Sequence, residues 1–154
     1  MNESVDIDGS AGEGGGQILR SSLALSLITG RPLRIKNIRA RRSKPGLLRQ
    51  HMTCVTAAAE ISGANVVGNS PGSDRLSFEP GPLRAGEYGF AVGSAGSAML
   101  VFQTILPALL RAEGPSTLTL EGGTHNPAAP PFDFIQTTFA PLVERSGHRL
   151  ELEL

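Results

Sequence analysis

Apolar and polar positions along the chain change period several times, and each change marks an element. Val5-Asp6-Ile7 alternates, as a strand with one covered face does. Leu19, Leu23 and Leu27 then recur at i, i+4 and i+8 beside Ile18 and Ile28, the stripe of an amphipathic helix. Gly30-Arg31-Pro32 ends that helix, because glycine accepts the left-handed cap conformation and proline cannot continue the helix. Leu33-Arg34-Ile35 alternates again. Pro45-Gly46 opens a second helix with a face of Leu48, Met52, Val55 and Ala59, and Ser62-Gly63 closes it. Asn65-Val66-Val67 and Arg75-Leu76-Ser77-Phe78 predict two more strands.

The same order then starts again. Tyr88 to Val92 predicts a strand, and Leu100, Val101, Thr104, Ile105, Ala108 and Leu109 a helix face that Gly114-Pro115 terminates. Leu118-Thr119-Leu120 predicts the next strand. Pro130-Pro131 opens a helix with Phe134, Ile135, Thr138, Phe139, Leu142 and Val143 on one face, and Leu150-Glu151-Leu152-Glu153-Leu154 predicts a final strand. Gly9-Ser10-Ala11-Gly12 recurs as Gly93-Ser94-Ala95-Gly96, 84 residues later, and Ser62-Gly63 recurs as Ser146-Gly147 at the same displacement. The pattern predicts an α/β fold of tandem β-α-β-α-β(β) units, residues 1–84 and 85–154, with paired helices packed on one face of each four-stranded sheet. Leu154 falls inside the last predicted strand with no turn after it, the expected mark of a truncation.

Composition narrows the classes. With 154 residues and 40% hydrophobic content the chain suits one compact domain, and its 14 basic and 14 acidic side chains cancel, so no global field favours nucleic acid or an anionic membrane. Cys54 is the only cysteine, which excludes a disulfide framework and a cysteine-built zinc site and fits a cytoplasmic protein. Met1 to Asp6 lacks the basic start of a secretory signal. The longest apolar stretch, Ala98 to Leu110, is broken by Gln103, Thr104 and Pro107 and is shorter than the about 20 residues that a bilayer needs. His51, His125 and His148 stand apart from one another and read as surface or capping residues. No G-x-S-x-G elbow is present, and Cys54 sits on a predicted core face, so nothing supports a triad hydrolase.

Local clustering is more informative than net charge. Gly12-Glu13-Gly14-Gly15-Gly16 precedes the first helix, where free backbone N–H groups and a helix N-terminus can cradle phosphate. A tight turn that admits close helix packing is the alternative. The run is neither a P-loop nor G-x-G-x-x-G, and Glu13 within it reads as a metal or nucleotide contact. From Arg31 to Arg49 there are eight basic residues and no acidic one, six of them arginines suited to bidentate phosphate contacts. They form either a solvated face or a set of charges converging on the glycine loop. One tyrosine and no tryptophan favour recognition of a phosphate or a chain terminus over base readout. The loop Gly122 to Pro131 is a rigid connector whose prolines could also pack on a nucleobase.

Four segments together, Asp8 to Arg20, Ile38 to Leu47, Gly93 to Ser97 and Gly122 to Pro127, resemble the RNA 3'-terminal phosphate cyclase family, in the same order and over nearly the whole chain. The resemblance implies three repeated units with a small inserted domain, of which two units are present here. It also implies a reaction: ATP and a divalent metal (Mg or Mn) adenylylate a histidine, AMP passes to an RNA 3'-phosphate, and the vicinal 2'-hydroxyl closes a 2',3'-cyclic phosphate. By motif, Glu13 is the metal-side contact, Gln103 an ATP contact, and Pro130 or Pro131 one face of the adenine slot. Arg20, Arg39, Arg42 and Gln50 are the implied grip on the RNA-terminal phosphate. No histidine here matches the family's nucleophile, which is expected outside this chain, so the chain alone should be inactive. A non-catalytic cyclase-like scaffold in ribosomal RNA processing is the alternative, and a two-unit relative of the enolpyruvyl transferases a third. A sheet edge left open by a missing unit would favour self-association.

Overall fold

The computed structural model describes residues 3–93 and 95–154. Met1, Asn2 and Ser94, the last within the second copy of the Gly-Ser-Ala-Gly motif, lie outside the described residues. The chain runs β1 (Val5–Asp8), α1 (Gly16–Thr29), β2 (Leu33–Lys36), α2 (Arg49–Ser62), β3 (Asn65–Val67), β4 (Leu76–Glu79), β5 (Glu87–Ala91), α3 (Ala98–Leu109), β6 (Thr117–Glu121), α4 (Phe132–Phe134), a π-helical segment (Ile135–Phe139) and α5 (Ala140–Glu144). The fold is α/β, as the alternation of elements predicts.

The first sheet has the order β1-β2-β4-β3, with β1 and β2 parallel and β4 antiparallel to both β2 and β3. Leu33, Ile35, Leu76 and Phe78 on β2 and β4 are buried on one face, while Arg34, Lys36 and Glu79 are exposed. Helices α1 and α2 cover the apolar face, so Leu19, Leu23 and Leu27 join one core with Val55, Ala58, Ile61 and Phe78. Val101, Ile105 and Ala108 of α3 complete that core, which welds the two halves together. Gly30 and Gly63 cap α1 and α2 with φ of 67° and 60°, in the left-handed conformation expected of them.

Four expectations change. The buried face of α2 is wider than the predicted stripe and is rotated from it. His51, Cys54, Val55, Ala57, Ala58, Ile61 and Ser62 are buried, whereas Leu48 is the exposed N-cap residue, because α2 packs between α1, α3 and the sheet and has little free surface. The second sheet contains only the parallel pair β5-β6, not four strands, among the described residues. Leu150–Leu154 forms no strand. The physical reason lies in the first sheet, where β3 is attached only through β4: the second unit has no counterpart of β4 within these 154 residues, so this segment finds no ladder to join. Leu150 and Leu152 pack instead beside a second apolar cluster around Phe102, Leu106, Phe132 and Ile135. The last predicted helix is not one regular helix either, being interrupted by the π-helical turn at Ile135–Phe139.

Among the described residues, no helix is long and apolar enough to cross a membrane.

Candidate functional site

Parallel β1 and β2 each pass into a helix through a loop at the same end of the sheet, so those loops and the first turns of α1 and α2 share one rim. Asp8 organises the first loop. Its Oδ1 accepts from Ser10 N (2.9 Å), Ser10 Oγ (2.7 Å) and Asn37 Nδ2 (3.1 Å), which ties the β1–α1 loop to the β2–α2 loop. These hydrogen bonds to Ser10, with help from Asn37, lower the Asp8 carboxyl from 3.8 to about 2.

The β2–α2 loop folds back through two non-glycine residues at positive φ, Asn37 and Arg39, both at 56°. That turn sends the basic run over the glycine loop. Arg39 Nη1 donates to the carbonyls of Lys44 (2.5 Å) and Gly46 (2.8 Å), and Arg41 Nη1 donates to Gly12 O (2.9 Å). Arg42 Nη2 lies 3.5 Å from Glu13 Oε2. The run thus converges on the glycine loop, and the glycines are what admit it. A Cβ on Gly14 would lie 2.7 Å from Arg41 Cγ, a Cβ on Gly15 2.5 Å from Arg42 Nη2, and a Cβ on Gly16 would collide with the His51 ring and approach Arg20 Nη1 to 3.0 Å.

Arg20 is the most telling member. It is only 8% exposed, Nη2 donates to Gln17 Oε1 (2.8 Å), Nε is buried without a partner, and it has no ion pair among the described residues. Desolvation lowers its pKa, opposed only by the neighbouring Cys54 thiol and by no carboxylate. A buried cation left uncompensated is costly, several kcal/mol in typical cases, unless an anion arrives. Beside it His51, 7% exposed, accepts Leu48 N–H on Nδ1 at 3.4 Å. Burial first, then the charges of Arg39 and Arg20, bring its pKa from 6.5 down to about 4.

This depressed histidine predicts a pH dependence. Between about 6.5 and about 4 the unfolded chain binds a proton that the folded chain refuses, so stability is fully present above 6.5 and falls as pH falls through that window. The expected loss is on the order of 2–3 kcal/mol, read as a decline in urea midpoint from pH 6.5 to 4 that is absent in His51→Asn. Asp8 acts in a separate, lower window, between 3.8 and about 2.

The first turn of α2 also reaches the second glycine loop. Arg49 Nη1 donates to Gly93 O (2.6 Å), and Gln50 Oε1 accepts from Ser97 N (2.7 Å), the N-cap residue of α3. The N-termini of α1, α2 and α3 therefore gather around one rim, each contributing the partial positive charge of its unsatisfied N–H groups.

Next to this rim a cleft of about 360 Å³ runs between α1 and α3, with Gln17, Arg20, Gln103, Pro130, Phe134 and Phe139 among its walls. Three predicted residues, Arg20, Gln103 and Pro130, share this space. Pro131 does not line it and is the exposed N-cap residue of α4. Ile135 and Phe139, which share one face of the expected helix, both stand on the cleft wall although a π-helical turn runs between them. Gln17 and Phe134 also line the wall, a role the sequence does not assign them. The i, i+3 spacing of Gln17 and Arg20 on one helix face was the available signal. Glu13 is far more open than the arginines, its side chain 92% exposed, and the described residues hold no group of three or more His, Cys, Asp or Glu that could form a metal cage. His125 Nε2 pairs with Asp133 Oδ2 at 2.7 Å, fastening the Gly122–Pro131 loop to the helix that follows.

Comparison with known proteins bears on this geometry. The model of the family described as RNA 3'-terminal phosphate cyclase matches residues 11–154. Proteins named RNA 3'-terminal phosphate cyclase from Pseudomonas fluorescens and Koribacter versatilis are 60% and 62% identical to this chain over 150 residues, each alignment covering 97% of it. The corresponding protein from Salmonella typhimurium is 59% identical over 147 residues, 96% of the chain. The chain spans 43%, 42% and 43% of these relatives, less than half the length of each. A glycine loop roofed by arginines, an unpaired buried arginine and a neighbouring cleft thus occur in a chain that matches one enzyme family across almost all of its residues, and the chain belongs to the RNA 3'-terminal phosphate cyclase family.

Proposed function

We propose that this chain supplies the RNA-end site and part of the nucleotide site of an ATP-dependent RNA 3'-phosphate cyclase, an enzyme that converts an RNA 3'-phosphate to a 2',3'-cyclic phosphate. The observation that carries the reading is Arg20, buried and without a carboxylate partner among the described residues at a rim where three helix N-termini meet. A terminal phosphate supplies the missing anion, and Arg39 and Arg42 stand beside it. Gln50 spends its carbonyl oxygen on Ser97 N–H, so its amide NH2 is the part turned to a phosphate in this reading. In this reading residues 1–84 and 85–154 are two copies of one unit, the second lacking the last strands of its sheet within this chain.

The cleft holds the adenine in this proposal, with Pro130 and Phe134 against its faces and Gln103 supplying hydrogen bonds. Glu13 alone does not build a metal site. One exposed carboxylate that acts together with substrate phosphates is nevertheless how Mg²⁺ is commonly held, and Glu13 is the residue that would hold it, neutralising phosphate charge when bound. The histidine that accepts AMP lies outside these residues. His51 is buried with one nitrogen engaged, and His125 is paired with Asp133. A free buried thiol, Cys54, suits a cytoplasmic protein. Neither the fold nor the comparisons support the expected self-association through a sheet edge. The scaffold reading has no observation of its own to favour it.

ATP labelled at the α-phosphate tests this assignment. Equilibrium dialysis should show saturable binding to the full chain that Phe134→Ala weakens by about tenfold, the loss of one stacking face. Denaturing electrophoresis of the same mixture should show no bound AMP. Absence of binding would contradict the nucleotide site, and a labelled band mapping to His51, His125 or His148 would contradict the placement of the nucleophile.

A further inference from the structure

His51 is used by neither the family motif nor the assignments above, yet it occupies the centre of the rim. Leu48, the N-cap residue of α2, has no side-chain oxygen or nitrogen with which to cap the helix. His51, three residues on, reaches back with Nδ1 to accept the Leu48 N–H at 3.4 Å. A ring whose Nδ1 accepts carries its proton on Nε2. That second nitrogen faces Gly16. It and Arg20 Nη1 both border the position that a Gly16 Cβ would take, so the absent side chain is what lets an imidazole edge and a guanidinium edge meet at the start of α1.

Nε2 has no hydrogen-bond partner among the described residues, and on the neighbouring Arg20 side chain Nε is buried and equally without one. Unpartnered donors on two neighbouring side chains, each more than nine-tenths buried, near the starts of two 14-residue helices, form a built anion site. The charges that face the ring are Arg20 from α1 and Arg39 from the β2–α2 loop.

We propose that His51 is a direct ligand of the RNA-terminal phosphate, donating Nε2–H to a phosphate oxygen alongside Arg20, while Nδ1 caps α2 and fixes the direction of that donor. The inference rests on the RNA-end reading above. A neutral donor serves where arginines already crowd: it adds a directed hydrogen bond without adding a further charge to desolvate and repel its neighbours. It also explains why the ring stays uncharged in an anion site, since its two hydrogen bonds need only one proton.

The test uses the full chain with two variants that divide the two nitrogens. His51→Asn keeps an acceptor at the Nδ1 position and loses the Nε2 donor, whereas His51→Gln extends an NH2 to the Nε2 position. Affinity is measured for one short RNA ending in a 3'-phosphate and for the same RNA ending in a 3'-hydroxyl. The expected result is a loss of about tenfold or more in 3'-phosphate affinity for His51→Asn, unchanged affinity for the 3'-hydroxyl end, and retention of most phosphate affinity in His51→Gln, as befits a hydrogen bond to a charged group. Nitrogen NMR of the unaltered chain supplies a check that needs no variant: the ring should show the Nε2–H tautomer, and that signal should shift when 3'-phosphate RNA is added. Wild-type phosphate affinity in His51→Asn, or an Nδ1–H tautomer, would overturn the proposal and leave His51 as a helix cap. Equal affinity of the unaltered chain for both RNA ends would instead overturn the RNA-end reading itself.

Discussion

Arg20→Met is expected to make the free chain more stable and the RNA-end site almost useless, two effects of opposite sign from one substitution. The guanidinium is buried and has a single neutral hydrogen-bond partner, Gln17, so the folded chain bears a desolvation cost that an unfolded chain does not. Methionine fills a comparable length of space without a charge, and removing a buried charge of this kind stabilises by about 1–2 kcal/mol. In the complex the balance reverses. The phosphate loses a charge-assisted donor: one charged contact in a desolvated site is worth about 2–3 kcal/mol, so affinity for a 3'-phosphate end should fall by about 100-fold. Urea unfolding and RNA binding on the same preparation check both halves. A stability loss would mean that Arg20 is held by contacts other than those seen here, and unaltered affinity would remove it from the site.

Gly46→Ala should produce the larger stability loss, about 3 kcal/mol, because strain and collision act together there. Gly46 has φ of 78°, and a Cβ would run into the carbonyl of Gly72. The loop cannot step aside. Gly46 N donates to Ile38 O (2.8 Å), Leu47 N to Ser73 O (2.9 Å) and Gly72 N to Leu47 O (2.8 Å), with Leu47 fully buried between them. Gly46 also offers the carbonyl that holds Arg39, so phosphate affinity should fall with stability. Gly30→Ala is the control. It has a similar φ of 67° and nothing within 4 Å of its missing Cβ, so it should cost only the left-handed conformation, about 1 kcal/mol. Equal urea midpoints for the two variants would show that the Gly46–Gly72 contact carries no weight.

How far the sequence carried this reading depended on the range of the interactions involved. Elements set by local periodicity and by glycine caps, such as α1 between Gly15 and Gly30, are legible because their signals lie within the element. The convergence of the basic run on the glycine loop was one of two open readings. Its resolution required Asn37 and Arg39 at positive φ, a conformation that neither side chain announces. Leu150–Leu154 alternates perfectly and still forms no strand, because a strand needs a partner and alternation describes only one side of the pairing. The face of α2 was misjudged since a helix enclosed on three sides buries more than one stripe. Gln103, Pro130 and Arg20 were named separately, and their meeting in one cleft depends on how α1 crosses α3, a tertiary contact with no local signature. From sequence, His51 reads as a surface or capping residue. Capping proved right and surface wrong, and its second nitrogen became visible only with Gly16 against it.

A rim of three helix starts that holds the phosphate at the end of an RNA chain must distinguish one RNA end from another. Equilibrium binding of a short RNA with a 3'-phosphate, against the same RNA with a 3'-hydroxyl, tests it most directly. A preference of about thirtyfold or more for the phosphate end is expected, the worth of charge-assisted contacts in a desolvated site. Equal affinity for the two ends, with both falling steeply as salt rises, would show a nonspecific basic surface and contradict it.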